Sequence, residues 1–207
     1  MSRSVKQARK VKSNDLIRQI IPIFLEYGYD GAALSRIAAV TKLSKASLYY
    51  HFPNGKDDMV RAALAYAGQQ MQTLILAPLI QAEKHNLSTV VALKDSFDGV
   101  RAYYSGSQPR CLMNSLLLGD RRDLVRGQVK AALTQWIDQL ASVLALGGVG
   151  QDQAYDLARQ IVEQIQGGLV INSLDDGRKQ FDQTLDRLQA YLLSALQDEG
   201  HEKVNNP

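Results

Sequence analysis

The chain has 207 residues, of which 45% are hydrophobic and 22% are charged, and this composition excludes an intrinsically disordered protein. No apolar run approaches the roughly 18 residues of a transmembrane helix, and residues 1–15 lack the apolar core of a secretory signal. The single cysteine, Cys111, excludes an internal disulfide framework and fits a reducing compartment. We therefore expect a cytoplasmic protein with no membrane partner.

Charge is distributed unevenly along the chain. Residues 1–56 carry ten Lys and Arg residues against three acidic residues, a net charge of +7, whereas the remaining 151 residues carry 14 basic and 18 acidic residues, a net charge of −4. A basic segment followed by an acidic remainder predicts a polyanionic partner for the first 56 residues. The alternative is that the basic residues within 1–12 form only a solubilising tail.

Helical periodicity dominates the chain, and no convincing alternating strand pattern is found, so the sequence predicts an all-α fold of about nine helices. The first helix is predicted over 13–27, with a bend or a fray at Pro22, followed by short helices over 34–40 and 44–51. A long helix starts at Lys56, and the later helices are predicted near 90–104, 111–119, 125–143, 152–174 and 178–198. The change from basic to acidic composition near residue 57 predicts a domain boundary there, which divides the chain into residues 1–56, residues 57–200 and a tail (201–207).

The segment LSRIAAVTKLSKASLYYHF, residues 34–52, predicts two short helices joined by a turn of three to four residues, the spacing of a helix-turn-helix unit over about 33–52. Leu34 and Ile37 of the first helix and Leu48 and Phe52 of the second are expected to share one core. Ser44 is a good N-cap for the second helix, because its hydroxyl can accept from an otherwise unpaired amide.

With Leu48 and Phe52 facing the core, the second helix presents an unusual density of hydrogen-bonding side chains to its surroundings. Lys45 offers a charge to a phosphate or a guanine edge, and the small Ala46 lets the helix approach the bases of a major groove. Lys56, which opens the next helix, is expected to bind a second phosphate. The residues expected on the DNA-binding surface are Arg36, Lys42, Ser44, Lys45, Ala46, Ser47, Tyr49, Tyr50, His51 and Lys56. The alternative is an ordinary amphipathic helix that happens to carry tyrosines.

These residues resemble the TetR family of transcriptional regulators. The run EYGYDG…IA…LSKASLYYHF…K, within 26–56, is similar to the N-terminal signature of that family, and FPNGKDDM (52–59) resembles its LmrA/YxaF-like subgroup. The resemblance implies a homodimeric repressor that an effector releases from a palindromic operator. In such a protein residues 1–56 would be the three-helix DNA-binding domain and residues 57–200 the helical effector-binding and dimerisation domain. Activation of transcription in place of repression stays open.

Two positions depart from the family pattern. The family usually has Thr or Ser near 32–33, capping a helix and touching a phosphate, whereas this chain has Ala32 and Ala33, with Ser35 as the nearest hydroxyl. The family usually has glycine in the turn where Lys42 stands. If that position has a positive φ, lysine costs on the order of 1 kcal/mol there, but it adds a positive charge close to the DNA.

The remainder of the chain is expected to bind a small apolar or aromatic effector and to form the dimer. Candidate effector-binding residues combine apolar walls with a few polar groups, and they are Met71, Leu74, Ile75, Tyr103, Tyr104, Cys111, Met113, Asn114, Trp136 and Gln166. The alternative for each is plain core packing. The dimer is predicted through the helices near 152–174 and 178–198, along the stripes Ala154, Ala158, Ile161, Ile165 and Leu169, and Phe181, Leu185, Leu188, Leu192 and Ala195. The alternative is that these stripes pack only within one subunit.

The sequence contains no H-E-x-x-H, C-x-x-C, G-x-S-x-G or glycine-rich phosphate-binding motif. We therefore expect no enzymatic activity, no metal ion and no cofactor. An architectural DNA-binding protein would need a basic surface throughout, and the acidic remainder of the chain argues against it. Cys111 is expected to be a buried structural thiol, and the sensing of oxidation through Cys111 is the alternative.

Overall fold

The computed structural model describes the backbone of residues 3–202 except 107 and 176, and the side chains of residues 14–196 with the same two exceptions. This part of the chain contains nine helices and no strand, which confirms the predicted all-α class. None of its helices combines the length and the apolar character needed to cross a membrane. The first helix begins at Arg3, so the backbone of residues 3–12 is helical, whereas a tail was predicted over 1–12. The side chains of residues 1–12 and residues 203–207 of the predicted C-terminal tail lie outside the described residues.

The helices follow the predicted order. They are α1 (Arg3–Gly31), α2 (Leu34–Thr41), α3 (Lys45–His51), α4 (the consecutive segments Lys56–Met71, Gln72–Leu76 and Ala77–His85), α5 (Thr89–Tyr103), α6 (Leu112–Leu117), α7 (Arg122–Leu146), α8 (Gln151–Asn172) and α9 (Lys179–Glu202).

Two compact units divide the chain. The first unit comprises the chain up to Gln69 together with Cys111–Lys130, and the second comprises Gln70–Arg110 and the chain from Ala131 onward. Helices α4 and α7 therefore each begin among residues of the first unit and end among residues of the second. The functional boundary predicted near residue 57 follows the charge distribution and stays a prediction.

In the first unit, α1 packs against α2 and α6, and its backbone breaks near its end. The helix departs from helical angles at Gly28 (φ 61°, ψ −168°), whereas a bend or fray was expected at Pro22. A Cβ at position 28 would lie 3.3 Å from the carbonyl oxygen of Ser115. The positive φ and this close approach both favour glycine, so the break brings the end of α1 against the chain at α6.

In the second unit, the middle segment of α4 is a π-helix, Gln72–Leu76. Pro78 has no N–H to donate to the carbonyl four residues earlier, that of Leu74. The hydroxyl of Ser96 on α5 donates to the carbonyl oxygen of Ile75 at 2.9 Å. A Cβ at Gly99 would lie only 1.8 Å from the carbonyl oxygen of Leu74. Glycine at this position therefore allows α5 to pack directly against the irregular segment of α4.

Helices α8 and α9 pack against each other within the single chain, and this corrects part of the predicted dimer interface. Nine of the ten residues of the two predicted stripes are buried in the single chain, and they are Ala154, Ala158, Ile161, Ile165, Leu169, Phe181, Leu185, Leu188 and Leu192. Periodicity identified the apolar face of each helix, but it did not reveal that elements of the same chain cover that face. The stripes are therefore part of the core of the single chain, and the exposed positions of these helices lie on their opposite faces.

Candidate functional site

Helices α2 and α3 form the predicted helix-turn-helix unit around a small shared core. Ile37 of α2 and Leu48 of α3 are fully buried, and Phe52 is 5% exposed. Ser44 caps α3, because its Oγ accepts from the backbone N–H of Ser47 at 3.1 Å. The inner face and the cap of α3 thus match the pattern expected from the sequence, and the outer face of α3 is left uncovered.

The predicted DNA-binding residues fall into two groups by exposure. Arg36, Lys42, Ser44, Lys45, Ala46, Tyr49, Tyr50 and His51 are exposed, whereas Ser47 and Lys56 are half-buried. Tyr49 and Tyr50 keep 48% and 76% of their surface exposed, which is unusual for large aromatic residues. The outer face of α3 therefore presents hydroxyl, imidazole and ammonium donors together, the chemistry that phosphate oxygens and base edges accept.

Lys42 ends α2 in the left-handed conformation, with φ 56° and ψ 23°. Because φ is positive here, lysine at this position costs about 1 kcal/mol of folding free energy. Neither Lys42 nor Lys45 forms an ion pair with any residue that the structure describes. Both positive charges remain available to an anionic partner.

Arg36 is held on the surface of α2 by an aromatic ring of α1. Its guanidinium carbon lies 4.2 Å from the centroid of the Tyr27 ring, a cation–π contact that orients the charged group. The start of α2 lacks a side-chain cap, because Ala33 occupies the N-cap position and its side chain cannot accept a hydrogen bond from a backbone N–H. This agrees with the absence of the hydroxyl that the family usually has near 32–33.

Two residues of α3 have contacts that sequence reasoning missed. Gly55 has φ 61°, and a Cβ there would lie 3.4 Å from Cε1 of Tyr49, so the Tyr49 ring lies against the turn that follows α3. The Oγ of Ser47 lies 3.0 Å from the Oγ of Ser44, within hydrogen-bond distance. Tyr49 is therefore oriented by the turn, and the Ser47 hydroxyl is shared with the helix cap.

Lys56, predicted to bind a phosphate, is tied back to α1. Its Nζ donates to the carbonyl oxygen of Tyr29 at 2.8 Å and lies 4.4 Å from the centroid of the Tyr29 ring. The first turn of α4 also carries two carboxylates, Asp57 and Asp58. Hydrogen bonds from the backbone and side chain of Asn54 hold the pKa of Asp58 below its usual range.

The start of α4 contains a group of contacting residues that we call the helix-start cluster, namely Tyr29, Lys56, Asp57 and Arg121. One oxygen of Asp57, Oδ1, accepts from the Tyr29 hydroxyl at 2.5 Å, and the other, Oδ2, accepts from Nη2 of Arg121 at 2.6 Å. Burial, together with the hydrogen bond to Asp57, raises the pKa of Tyr29 to about 12. Periodicity could not reveal this cluster, because Arg121 is 64 residues from Asp57 in the sequence.

The candidate effector-binding residues are divided between the two units. Cys111, Met113 and Asn114 belong to the first unit, and the other seven belong to the second, namely Met71, Leu74, Ile75, Tyr103, Tyr104, Trp136 and Gln166. Three members of the second group are brought together. The rings of Tyr103 and Tyr104 meet edge-on with centroids 4.7 Å apart, and Nε2 of Gln166 donates to the Tyr104 hydroxyl at 3.3 Å.

The second unit also contains buried amide groups that sequence reasoning did not single out. Asn172 is 1% exposed, and neither its Oδ1 nor its Nδ2 has a hydrogen-bond partner among the described residues. The Oε1 atoms of Gln139 and Gln166 are likewise buried without a partner in this part of the chain. Each unpaired buried group costs about 1–3 kcal/mol, so a molecule that supplied the missing partners would recover that free energy.

The outer faces of α8 and α9 leave apolar and small residues uncovered. Ile171 is 64% exposed and Tyr191 is 51% exposed, and a Cβ at Gly167 would meet no atom within 4 Å. A shallow groove runs between the two helices, lined by Gln160, Gln164, Thr184, Arg187, Leu188 and Tyr191. These faces are the ones that remain available to a partner after the inner stripes are buried.

Comparisons with known proteins connect these features to regulators of transcription. Residues 16–63 match the family model described as bacterial regulatory proteins, tetR family. The chain is 25% identical over 202 residues to the HTH-type transcriptional repressor DhaR of Mycobacterium sp. (strain GP1), covering 94% of this chain and 99% of DhaR. It is 25% identical over 212 residues to the HTH-type transcriptional regulator RutR of Escherichia coli (strain K12), covering 92% of this chain and 94% of RutR.

The subgroup resemblance finds only loose support. The uncharacterized HTH-type transcriptional regulator YxaF of Bacillus subtilis (strain 168) is 23% identical over 154 residues, which cover 72% of this chain and 78% of YxaF.

Solved structures show the same fold. A TetR transcriptional regulator from Legionella pneumophila matches with a TM-score of 0.70 at 21% identity, covering 86% of this chain and 94% of that chain. A TetR-family regulator from Cytophaga hutchinsonii matches with a TM-score of 0.68 at 19% identity, covering 88% of this chain and 94% of that chain.

Proposed function

We propose that this chain is a DNA-binding transcriptional regulator of the TetR family and not an enzyme, and that it acts as a homodimeric repressor released from a palindromic operator by a small molecule. The observation that carries the proposal is the uncovered outer face of α3, with Lys45 and Tyr49 exposed beside the unpaired charge of Lys42. A regulator of this kind acts where the DNA is, so we place it in the cytoplasm.

In this proposal α3 enters the major groove and its neighbours hold the phosphates. Lys45 and Tyr49 lie four residues apart on the outer face of α3, where they can reach base edges. Lys42, Arg36 and Lys56 supply charges for the phosphate backbone. The residues on both sides of α3 thus position the helix, and α3 itself reads the sequence.

The dimer in this proposal forms through the outer faces of α8 and α9. On α8, Gln160, Gln164, Gly167 and Ile171 recur at the spacing of one helix face, and Tyr191 lies on the neighbouring α9. The open space at Gly167 supports the close approach of a second helix. Two copies of this helix pair would make a four-helix bundle about a two-fold axis, the usual symmetry of homodimers.

The effector in this proposal binds in the second unit. The apolar candidates Met71, Ile75 and Trp136 are buried there, and the unpaired amide groups of Asn172 and Gln166 offer both a donor and acceptors. We therefore expect a small, largely apolar or aromatic molecule that also carries hydrogen-bonding groups. The alternative of oxidation sensing through Cys111 is less well supported, because the Cys111 thiol is 4% exposed and a buried thiol reacts poorly.

The test of the proposal is to select duplexes from a random pool with the purified protein. We expect an inverted repeat whose half-site centres lie about 34–36 Å apart, one helical turn, or a multiple of that spacing. The selection of no sequence, or of a single unrepeated half-site, would contradict a homodimeric operator-binding protein.

The effector is then sought by thermal shift with a small-molecule library, and the affinity of each stabilising compound is measured with and without the selected duplex. By linkage, an effector that lowers the affinity for DNA must bind more weakly when DNA is present, and by the same factor. For a useful switch this factor corresponds to a coupling free energy of about 1–3 kcal/mol. Equal affinities in the two conditions would mean that the compound does not control DNA binding.

A further inference from the structure

Two helices pass from the first unit into the second, and their starting points are bonded to each other. Helix α4 starts at Lys56 and α7 starts at Arg122, and both starts belong to the first unit. Asp57 is the second residue of α4, and Arg121 immediately precedes α7. The ion pair between Oδ2 of Asp57 and Nη2 of Arg121, at 2.6 Å, therefore joins the beginnings of the two helices.

The contacts of Asp57 extend this link to Lys56. Because each of its carboxylate oxygens has a separate partner, Asp57 connects Arg121 to the Tyr29 hydroxyl. Tyr29 in turn holds Lys56 through its carbonyl oxygen and its ring. A change in the position of Arg121 would therefore loosen Asp57 and Tyr29, and with them the charged end of Lys56.

A second contact fixes the chain just before Arg121. The backbone N–H of Asp120 donates to Oδ2 of Asp30 at 3.0 Å. A Cβ at Gly119 would lie 3.0 Å from the same oxygen, so a larger residue would crowd it. The segment that leads into α7 is thus attached at two points, to the end of α1 and to the start of α4, and Arg121 is not a freely moving surface residue.

We propose that Arg121 is a positioning residue for DNA binding, which holds the start of α4 through Asp57 and thereby places Lys56 against the operator backbone. This inference rests on the proposed function, since it assumes that Lys56 lies at the DNA.

The position of Arg121 favours a geometric role over a stabilising one. The Arg121 side chain is 50% exposed and the Asp57 side chain is 19% exposed. Ion pairs that face water contribute little to folding stability, so loss of the pair should change the melting temperature only slightly. Its effect should instead be seen in DNA affinity, which depends on the exact placement of the charges at the start of α4.

The test measures the dissociation constant for the duplex that the wild-type protein selects from a random pool. We expect Arg121→Gln to weaken binding roughly 3-fold to 30-fold, the range of mutations that alter coupling between sites. Arg122→Gln is the matched control, because Arg122 is exposed and has no ion pair with a described residue. It should change affinity by no more than about twofold. Equal effects of the two variants would overturn the proposal.

A double-mutant cycle with Asp57→Asn separates positioning from direct contact with the DNA. If Arg121 acts through Asp57, Arg121→Gln should cause no further loss in the Asp57→Asn background. Arg121→Lys should recover most of the affinity, because an ammonium can replace both the Nη2–Oδ2 hydrogen bond and the contact of the guanidinium with the Tyr29 ring, whose centroid lies 5.9 Å away. A full additional loss in the Asp57→Asn background would show that Arg121 contacts phosphate itself, and it would overturn the proposal.

Circular dichroism and thermal melting of each variant distinguish positioning from unfolding. If Arg121→Gln lowers DNA affinity only because the protein is unfolded, Arg121→Lys and Asp57→Asn still test the positioning role. That role predicts that a folded Asp57→Asn protein binds the duplex weakly. A folded Asp57→Asn variant with wild-type affinity would overturn the inference. Failure of the wild-type protein to select any duplex would instead reject the proposed function.

Discussion

The helix pairs α2–α3 and α8–α9 are built alike on the inside and differ on the outside. Each pair buries an apolar stripe, represented by Ile37 and Leu48 in one and by Ile165 and Phe181 in the other. The outer face of α3 presents mainly polar donors, whereas the exposed positions of α8 and α9 mix large apolar residues such as Ile171 with polar ones such as Gln164 and Arg187. The inner residues specify the fold, and the outer residues distinguish the partners that we propose, DNA for the first pair and a second copy of the chain for the other.

The largest effect is expected from placing a charge on the α8 face. Ile171→Arg should produce a monomer, because a charge would have to be buried in the proposed interface. Loss of the second DNA-binding domain should weaken operator binding about 100-fold or more, the usual scale of lost bivalency. Analytical ultracentrifugation and a binding titration measure the two effects.

The matched control is Val91→Arg on α5, which introduces the same charge at another exposed aliphatic position in the second unit. Val91 is 53% exposed and Ile171 is 64% exposed. We expect the control to remain dimeric and to bind DNA as the wild type does. A dimeric Ile171→Arg protein would place the interface elsewhere and would remove the contrast between the two helix pairs.

The next effect concerns sequence reading by α3. Lys45→Ala should reduce the ratio of specific to nonspecific DNA affinity by about 1–3 kcal/mol, the usual value of a base contact. Deletion of residues 1–10, which include the first turns of α1, should weaken both affinities alike, because charges outside the reading helix act on all sequences. Competition titrations with selected and random duplexes give the ratio. If the deletion lowers the ratio more than Lys45→Ala does, α3 is not the reading element.

Two smaller effects of opposite sign, on folding stability and on DNA affinity, are expected at the end of α2. Lys42→Gly relieves a positive φ of 56° and should stabilise the protein by up to about 1 kcal/mol. The same change removes one positive charge per subunit from the DNA-binding surface and should weaken DNA binding. Urea denaturation and a binding titration measure the two changes. A variant that is both less stable and unchanged in affinity would contradict the account of this turn.

The smallest effect is a pH dependence at the start of α9. The hydrogen bonds from Arg178 hold the pKa of Asp182 below its usual value of 3.8. The pair therefore stabilises the fold above about pH 4, and its contribution disappears as the pH falls through the lowered pKa. Asp182→Asn should cost a few tenths of a kcal/mol at pH 7 and almost nothing at pH 2. A cost that grew on acidification would contradict this sign.

The fold of α2 and α3 was predictable because its determinants are local. The spacing of Ile37, Leu48 and Phe52 identified the core, and Ser44 identified the helix start, within fewer than twenty residues of one another. The left-handed backbone at Lys42 was anticipated only as a condition, since no property of lysine requires it.

Neither the helix-start cluster nor the burial of the α8 and α9 stripes within a single chain could be predicted from the sequence. Arg121 meets Asp57 only because the chain returns to the first unit after α5, and such a long-range ion pair has no periodic pattern. A helical stripe reveals that a face is covered, but the same stripe fits a core and an interface equally well. The unpaired amide of Asn172 could not be predicted either, because Asn172 lies on the buried face of α8, which is otherwise apolar.

The most direct test of the central claim, that the basic first segment binds operator DNA electrostatically while α3 reads it, is the salt dependence of affinity for the selected duplex. With roughly six to ten phosphates neutralised per dimer, log K plotted against log salt concentration should have a slope of about −5 to −9. A slope near zero would contradict the claim, because the exposed charges of Arg36, Lys42 and Lys45 would then have no part in binding.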